Sequence, residues 1–190
     1  IYQQEQDWDR ATRLFHQHPM LADGDLRLQY VHILCEQAEQ LIRRDTRQAI
    51  TLADKASRHD PRSLRPKLLR LRVALQERSW KDFRTVLNDW LALAPGRCDL
   101  LLPVLTDLTE HWPARRRNLL RTLQPLHDHP EVRLMLARLH WTMDDPEEAM
   151  QRIRTVPLTA STLRWRLEYL ARRDDNSDLT ELVTLLRNQL

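Results

Sequence analysis

Two histidine pairs are the first candidates for metal chemistry in this chain of 190 residues. His16 and His18, like His127 and His129, are spaced i, i+2, and that spacing places two side chains on different faces of a helix. Neither pair has a cysteine or a carboxylate at the spacing that protein metal sites use. The sequence therefore predicts no bound metal ion.

The two cysteines, Cys35 and Cys98, form no CxxC pair. Two cysteines in a chain of this length are typical of reduced core residues rather than of a disulfide framework. Cys35 shares an apolar helical stripe with Val31 and Ala38, so it is interpreted as a buried, inert thiol rather than a nucleophile.

Catalytic signatures are missing from the sequence. It contains no GxSxG, HExxH, phosphate-binding loop or dinucleotide fingerprint. The adjacent carboxylates of Glu147 and Glu148 diverge on a helix and do not flank a substrate. We therefore expect a protein that is not an enzyme and that binds no cofactor.

Composition indicates an all-α protein whose helices must position any functional residue. Gly24 and Gly96 are the only glycines, which disfavours β-hairpins and phosphate-cradling loops. Leucine, arginine, alanine, glutamine and glutamate dominate, and all are good helix formers. The 27 acidic and 30 basic residues are interleaved and form no long block of one sign. The sequence therefore does not predict nucleic-acid binding. No apolar run approaches the ~20 residues that span a bilayer.

Regularly spaced prolines indicate internal repetition. Pro61, Pro95 and Pro130 are 34 and 35 residues apart, and each closes a helical pattern. Two amphipathic segments with a short polar turn lie between successive prolines. Small residues such as Ala137 and Ala149 are placed where two antiparallel helices must approach closely, which is the tetratricopeptide pattern.

Helix-capping residues support the same register. A good N-cap precedes the second helix of each unit; these caps are Asp7, Asp45, Ser79, Asp145 and Ser177. Pro146 then occupies a first helical position, where its missing N–H is harmless. Helices are predicted near 1–4, 7–18, 25–43, 46–58, 62–77, 80–93, 98–110, 114–128, 131–143, 146–155, 160–173 and 178–189. In the helix over 62–77, the core stripe is predicted to be Leu64, Leu68, Leu71 and Leu75.

These features predict a right-handed superhelix of antiparallel helical hairpins. One array of about five to six degenerate tetratricopeptide-like repeats would occupy residues 1–190. A helical pattern begins at Ile1, which indicates a piece of a longer protein. Trp8 and Trp80 each follow a cap and are interpreted as packing anchors at hairpin turns. The run Arg115–Arg117 is read as a solvated helix start, with a phosphate or acidic-lipid contact as the alternative.

Residues 1–95 resemble the tetratricopeptide region of the lipopolysaccharide assembly protein B family. The resemblance is carried by Ile1-Tyr2-Gln3, Trp8, Ala11, residues 32–38, the segment from Asp45 to Ala49 and the junction Asp60-Pro61. It implies a bacterial cytoplasmic adaptor, tethered to the inner membrane by a segment absent from this chain. Such adaptors link a membrane-bound AAA+ protease to the deacetylase of lipid A synthesis. The family's rubredoxin-like metal module needs two CxxC pairs, and this sequence has none.

The predicted binding surface is the concave face, formed by the first helix of each repeat. Arginine and aromatic side chains on that face are typical of partner binding; the candidates are Arg65, Leu69, Arg72, Gln76, Glu131, Arg138 and Trp141. The alternative is that they are solvated arginines and a packed tryptophan. Reversing the charges of Arg65 and Arg72 is expected to weaken partner capture and to leave thermal stability unchanged.

Two other functions stay open at this stage. Exposed terminal hairpins could pair two copies, which would make the chain an oligomerisation or structural module and a homodimer. Nucleic-acid binding would require steep salt dependence of binding to generic duplexes. The sequence names neither the partner nor the assembly state.

Overall fold

The computed structural model describes residues 7–24 and 26–157, together with 159, 162–164, 166, 167, 180, 183, 184 and 187. The described part of the chain contains helices and turns and no strand, which confirms the all-α class. It divides into two compact units. Unit 1 comprises Ile1–Ala94 and Pro103–Trp112, and unit 2 comprises Pro95–Leu102 and Pro113–Leu190. The single array over residues 1–190 stays a prediction.

Unit 1 contains most of the regular helices. They are α1 (Trp8–Gln17), α2 (Pro19–Asp23), α3 (Arg27–Leu41), α4 (Thr46–His59), α5 (Arg65–Gln76), α6 (Trp80–Leu93) and α7 (Leu102–His111, of which Leu102 belongs to unit 2). Unit 2 contains α8 (Arg116–Leu123), α9 (Pro130–Thr142), α10 (Pro146–Arg154) and the 3-10 turns Pro95–Leu101, Pro113–Arg115 and Gln124–Leu126. Helix α2 is an addition that the sequence patterns did not predict.

Four of the five predicted N-caps are confirmed. Each side chain accepts a hydrogen bond from the backbone N–H three residues later, which satisfies a donor that the helix leaves unpaired. The oxygen–nitrogen distances are 3.0 Å for Asp7, 2.9 Å for Asp45, 3.5 Å for Ser79 and 3.4 Å for Asp145. Pro146 is the first residue of α10, as predicted. Ser177 lies outside the described residues.

Helices α3 and α4 form an antiparallel hairpin. The ring of Tyr30, near the start of α3, lies 5.0 Å from that of His59, the last residue of α4. On α4, the buried face consists of Ala49, Ala53 and Ala56, each at most 2% exposed. Methyl-sized side chains allow two helix backbones to approach closely, so α4 can pack against both α3 and α5.

Helix α1 packs antiparallel to α3 through aromatic contacts at one end and polar contacts at the other. Phe15 stacks on Tyr30 with ring centroids 4.5 Å apart. Gln37 donates to the carboxylate of Asp9 at 2.6 Å. Trp8 is 8% exposed and meets the edge of a histidine ring on α3, which confirms that it is a packing anchor.

The predicted core stripe of α5 is only partly correct. Leu71 is fully buried, but the other three leucines of that stripe are half-buried. Leu69, Val73 and Ala74 are each at most 3% exposed. Helix α5 packs against α3, α4 and α6, so it buries more than one face and the single-stripe expectation was too narrow.

The hairpins α5–α6 and α9–α10 share one turn geometry. The residue before each N-cap, Arg78 in one turn and Asp144 in the other, has positive φ, 52° and 62° respectively. In both turns the N-cap residue donates its backbone N–H to the carbonyl five positions earlier, at 2.9 and 3.0 Å. This is the Schellman ending of a helix, which reverses the chain in three residues.

Two predicted helices are shorter in the structure. The helix predicted over 98–110 begins as α only at Leu102, after a 3-10 segment that is kinked at Arg97. The helix predicted over 114–128 is α-helical only over Arg116–Leu123. Pro113 and Pro125 have no N–H to donate and sit in the flanking 3-10 turns. The helix predicted over 1–4 lies outside the described residues, as do most residues of those over 160–173 and 178–189.

None of the helices among the described residues combines the length and apolarity that crossing a membrane requires.

Candidate functional site

A network of ion pairs joins α3 to α5 on the predicted binding face. The guanidinium of Arg65 contacts Glu36 at 2.5 Å, Glu39 at 3.2 Å and the ring of His32 at 2.8 Å. About two helical turns further along α5, Arg72 contacts the same Glu39 at 2.5 Å. These five residues are called the α3–α5 network below.

The α3–α5 network also fixes how the two helices are aligned. The contacts His32–Arg65 and Glu39–Arg72 have the same sequence separation of 33 residues. The second contact lies seven residues beyond the first on both helices, so α3 and α5 run parallel. A constant offset of about 34 residues between parallel first helices is what stacked tetratricopeptide-like hairpins require.

Electrostatics within the network favour the charged forms. Partial burial pushes the pKa of Glu39 upward, but hydrogen bonds from Arg72 and Arg65 outweigh that effect and hold the pKa below its ordinary value. Partial burial likewise disfavours the charged Arg65, while hydrogen bonds to Glu36 and Glu39 raise its pKa overall. Glu39 and Arg65 are therefore both held in their charged forms.

Unit 1 contains four of the predicted binding residues, and they have different roles. Arg65 and Arg72 are about two-fifths exposed, at 36% and 39%, but they are bound to carboxylates of the same chain. Leu69 is 2% exposed and belongs to the core, so its prediction as a surface contact was wrong. Gln76 is exposed. Charge reversal at Arg65 and Arg72 would therefore break α3–α5 contacts as well as alter the surface.

In unit 2, the predicted binding residues include side chains that pack inside the unit. Trp141 is half-buried against a small core of Ala137, Met150 and Ile153. Arg138 is half-buried, and the side chain of Glu131 lies outside the described ones. Trp141 thus holds α9 against α10, in agreement with the alternative of a packed tryptophan.

A cleft of about 820 Å³ lies in unit 1 beside the α3–α5 network. Its walls are the C-terminal ends of α3 and α5, the turns that follow them, and α7 from Pro103 to His111 with Trp112 after it. The lining residues are Glu39, Gln40, Ile42, Arg43, Arg44, Arg72, Leu75, Gln76, Arg78, Pro103, Asp107, His111 and Trp112. The three helices end at Leu41, Gln76 and His111, at intervals of 35 residues.

The cleft combines an apolar floor with a basic rim. Ile42, Leu75 and Trp112 are half-buried. The indole of Trp112 meets the edge of Trp80 with centroids 6.3 Å apart. Trp80 in turn stacks on a buried phenylalanine of α6, which confirms its predicted role as an anchor at the turn. The floor of the cleft is therefore fixed by packing.

The rim arginines are the residues that sequence reasoning missed. Arg43, Arg44 and Arg78 are exposed, and no carboxylate of the described chain lies within ion-pair distance of them. A signal was present, because Arg44 and Arg78 are 34 residues apart and each directly precedes an N-cap. Capping chemistry explains the N-cap residue itself but not the residue that precedes it.

The structure offers one weak arrangement for a metal ion among the residues it describes. Asp107, Glu110 and His111 bring one ligand atom each within 4.8 Å of one another, and all three are exposed. The Nδ1 of His111 also lies 3.0 Å from the carbonyl of Asp107. In the first histidine pair, Nε2 of His16 lies 2.6 Å from Nζ of Lys55, and a lysine ammonium there opposes a cation. We assign no metal site.

Cys35 is an inert thiol, as predicted. It is fully buried, and that burial raises the pKa of its thiol to about 12. A protonated thiol is a poor nucleophile and a poor metal ligand. The side chain of Cys98 is outside the described ones.

The basic run at residues 115–117 is partly structural. Arg116 donates to the backbone carbonyl of Thr142 at 2.7 Å, and this bond ties the start of α8 to the end of α9. Arg116 is half-buried, whereas Arg117 is exposed. The run therefore does not form one solvated basic surface.

Comparison with known proteins identifies no relative. No family model, curated protein or solved structure matches the chain. The resemblance of residues 1–95 to the lipopolysaccharide assembly protein B family stays a prediction, and function must be argued from the cleft and the contacts around it.

Proposed function

We propose that this chain is a tetratricopeptide-like scaffold that binds a partner protein along its first helices, α3, α5 and α7. The observation that carries the proposal is the constant register of the α3–α5 network. Two of its contacts, His32–Arg65 and Glu39–Arg72, have the same separation of 33 residues, and the ends of the three helices follow at intervals of 35. Stacking at a constant offset produces a right-handed superhelix with one continuous recognition face.

The composition of the cleft supports protein binding. Ile42, Leu75 and Trp112 offer apolar area, and exposed arginines surround them. Aromatic and arginine side chains gain the most when a partner desolvates them. Within the described residues the cleft has no serine or cysteine beside a base, so its lining suits binding better than catalysis.

The narrower proposal is an adaptor in envelope lipid control. It rests on the resemblance stated above, which implies a cytoplasmic location beside the inner membrane, a membrane-bound AAA+ protease and a lipid A deacetylase as partners. Purified protease and deacetylase, each tested by pull-down against this chain, would address it directly. Binding of neither would remove the adaptor role and leave the general scaffold proposal in place.

Site-specific photo-crosslinking tests the scaffold proposal. A photoreactive residue replaces Gln76 on the first-helix face, and the matched control replaces Arg84, which is exposed on α6. We expect adducts with another protein from Gln76 and few or none from Arg84, identified by mass spectrometry in the producing cell. Adducts only with a second copy of the chain would instead favour the oligomerisation module. Equal labelling from both positions would contradict a recognition face.

A further inference from the structure

The rim of the cleft carries positive charge that the protein leaves uncompensated. Among the described residues that line the cleft, the carboxylates are those of Glu39 and Asp107, and Glu39 is already bound by Arg65 and Arg72. The positive charges of Arg43, Arg44 and Arg78 therefore line a cleft that has little negative charge of its own. A ligand that enters this cleft must tolerate that field.

The positions of these arginines are set by the hairpin turns. Arg44 precedes the cap of α4, and its backbone N–H donates to the carbonyl of Leu41 at 2.9 Å. Arg78 precedes the cap of α6 and is held at a φ of 52° by the Schellman ending of α5. Two consecutive hairpins thus present an arginine in the turn before the cap, 34 residues apart along the chain. Chain segments that lie across both turns would meet both cations.

Basic residues near helix C-termini also stabilise the helix itself, since they offset the negative end of the macrodipole. That effect accounts for a cation at a helix end. It does not account for the apolar floor of Ile42, Leu75 and Trp112 directly beside the cations. Helix stabilisation alone would leave such a floor covered or polar.

We infer that the cleft binds an acidic segment of a partner protein whose apolar side chains occupy the floor. The inference rests on the proposed function and specifies the chemistry of the partner. Carboxylates of the segment pair with Arg43, Arg44 and Arg78, and arginine can hold each one with two parallel hydrogen bonds. Leucine or phenylalanine side chains at alternate positions of an extended segment reach Ile42 and Leu75.

A defined peptide probe tests the inference with the full chain. The probe is a fluorescein-labelled twelve-residue peptide that alternates glutamate with leucine and phenylalanine, and binding is followed by fluorescence anisotropy. The cleft variant is R43E/R44E. The control R47E/R84E makes the same change in net charge at two exposed positions on α4 and α6 that do not line the cleft.

We expect the cleft variant to bind the peptide at least about tenfold more weakly, and the control to stay within about twofold of the original chain. A peptide with lysine in place of glutamate should not bind. An all-glutamate peptide should bind more weakly, because it offers nothing to the floor. Thermal melting checks that each variant is folded, and Arg78→Gln serves as a milder cleft variant where R43E/R44E melts early.

The contrary outcomes separate this inference from the proposed function. Equal losses in the cleft variant and the control would mean general electrostatic attraction and would overturn the inference. A single-stranded oligonucleotide that displaces the peptide and binds more tightly would assign the cleft to nucleic acid instead. If no acidic peptide binds while Gln76 still crosslinks to a partner, the inference fails and the scaffold proposal survives.

Discussion

Several arginines in the two units contact different kinds of acceptor. In unit 1, Arg65 and Arg72 pair with carboxylates between two parallel helices. In unit 2, Arg116, Arg133 and Arg166 donate to backbone carbonyls. Unit 2 also contains the carboxylate contacts Arg152–Glu148 and His140–Asp145, so the contrast is between carboxylates that join two parallel helices and carbonyls that lie near helix ends. The comparison also shows that the number of arginines on a predicted face says little about how many are available to a partner.

Arg166 is the clearest example in unit 2. It is 4% exposed, and its Nη2 lies 2.8 Å from the carbonyl of Ile153, 3.1 Å from that of Arg154 and 3.3 Å from that of Val156. These carbonyls belong to the last turn of α10 and the residues after it, where a helix leaves acceptors unpaired. The carbonyl of Ile153 also accepts from the backbone N–H of Val156 at 3.2 Å. A buried guanidinium thus completes the C-terminal end of α10.

The largest expected effect comes from Arg166→Leu. The substitution keeps apolar bulk but removes the guanidinium from which the carbonyls of Arg154 and Val156 accept, and we expect a loss of about 2–3 kcal/mol in the free energy of unfolding. Urea denaturation followed by circular dichroism measures it. Arg117→Leu, at an exposed position on α8, is the matched control and should change stability by less than about 0.5 kcal/mol. Equal effects of the two substitutions would refute the capping role.

A smaller, pH-dependent effect is expected in unit 1 from Glu39→Gln. Glu39 is 42% exposed at its side chain, so the loss at neutral pH should be at most about 1 kcal/mol. Because the folded state holds the pKa of Glu39 below its ordinary value of 4.5, its contribution is present above that value and is lost as pH falls through the folded pKa. The difference between the original chain and the variant should therefore shrink towards about pH 3.

Unfolding curves at several pH values provide that measurement. A gap between the original chain and Glu39→Gln that did not shrink as pH fell below 4.5 would show that the carboxylate charge of Glu39 is not what joins α3 to α5.

The smallest effect concerns the turn that both units share. Arg78→Gly removes the side chain from a left-handed backbone position and should stabilise the chain by about 0.5 kcal/mol, after allowance for the extra freedom of glycine when unfolded. Asp144→Gly should bring no gain, because aspartate already tolerates that conformation. Thermal melting of the two variants side by side tests the difference. A greater gain from Asp144→Gly would contradict it.

Local signals were the part of the fold that the sequence predicted well. Asp45 and Asp145 could be assigned as caps because a cap acts within three residues of itself. The small residues Ala137 and Ala149 could be assigned to close helix contacts for a similar reason, and they are 1% and 3% exposed. Each of these features depends on a short stretch of chain and needs no knowledge of distant neighbours.

The burial of α5 and the partners of its arginines could not be predicted in the same way. Leu69 is buried because α5 has several packing neighbours, and a single apolar stripe does not reveal how many neighbours a helix will have. Arg65 and Arg72 could be placed on one face, but their pairing with Glu36 and Glu39 depends on the offset between α3 and α5. The cleft depends on three helix ends at once, so only the structure brings its residues together.

The alanine face of α4 influences which length of segment the cleft accepts. Helix α4 packs against both α3 and α5, and its buried face consists of the methyl groups of Ala49, Ala53 and Ala56. Bulkier side chains there would act as spacers and alter the pitch between neighbouring hairpins. The distance between Arg44 and Arg78 would then change without any substitution in the cleft. The length of the segment that the cleft accepts would change through substitutions in α4 alone.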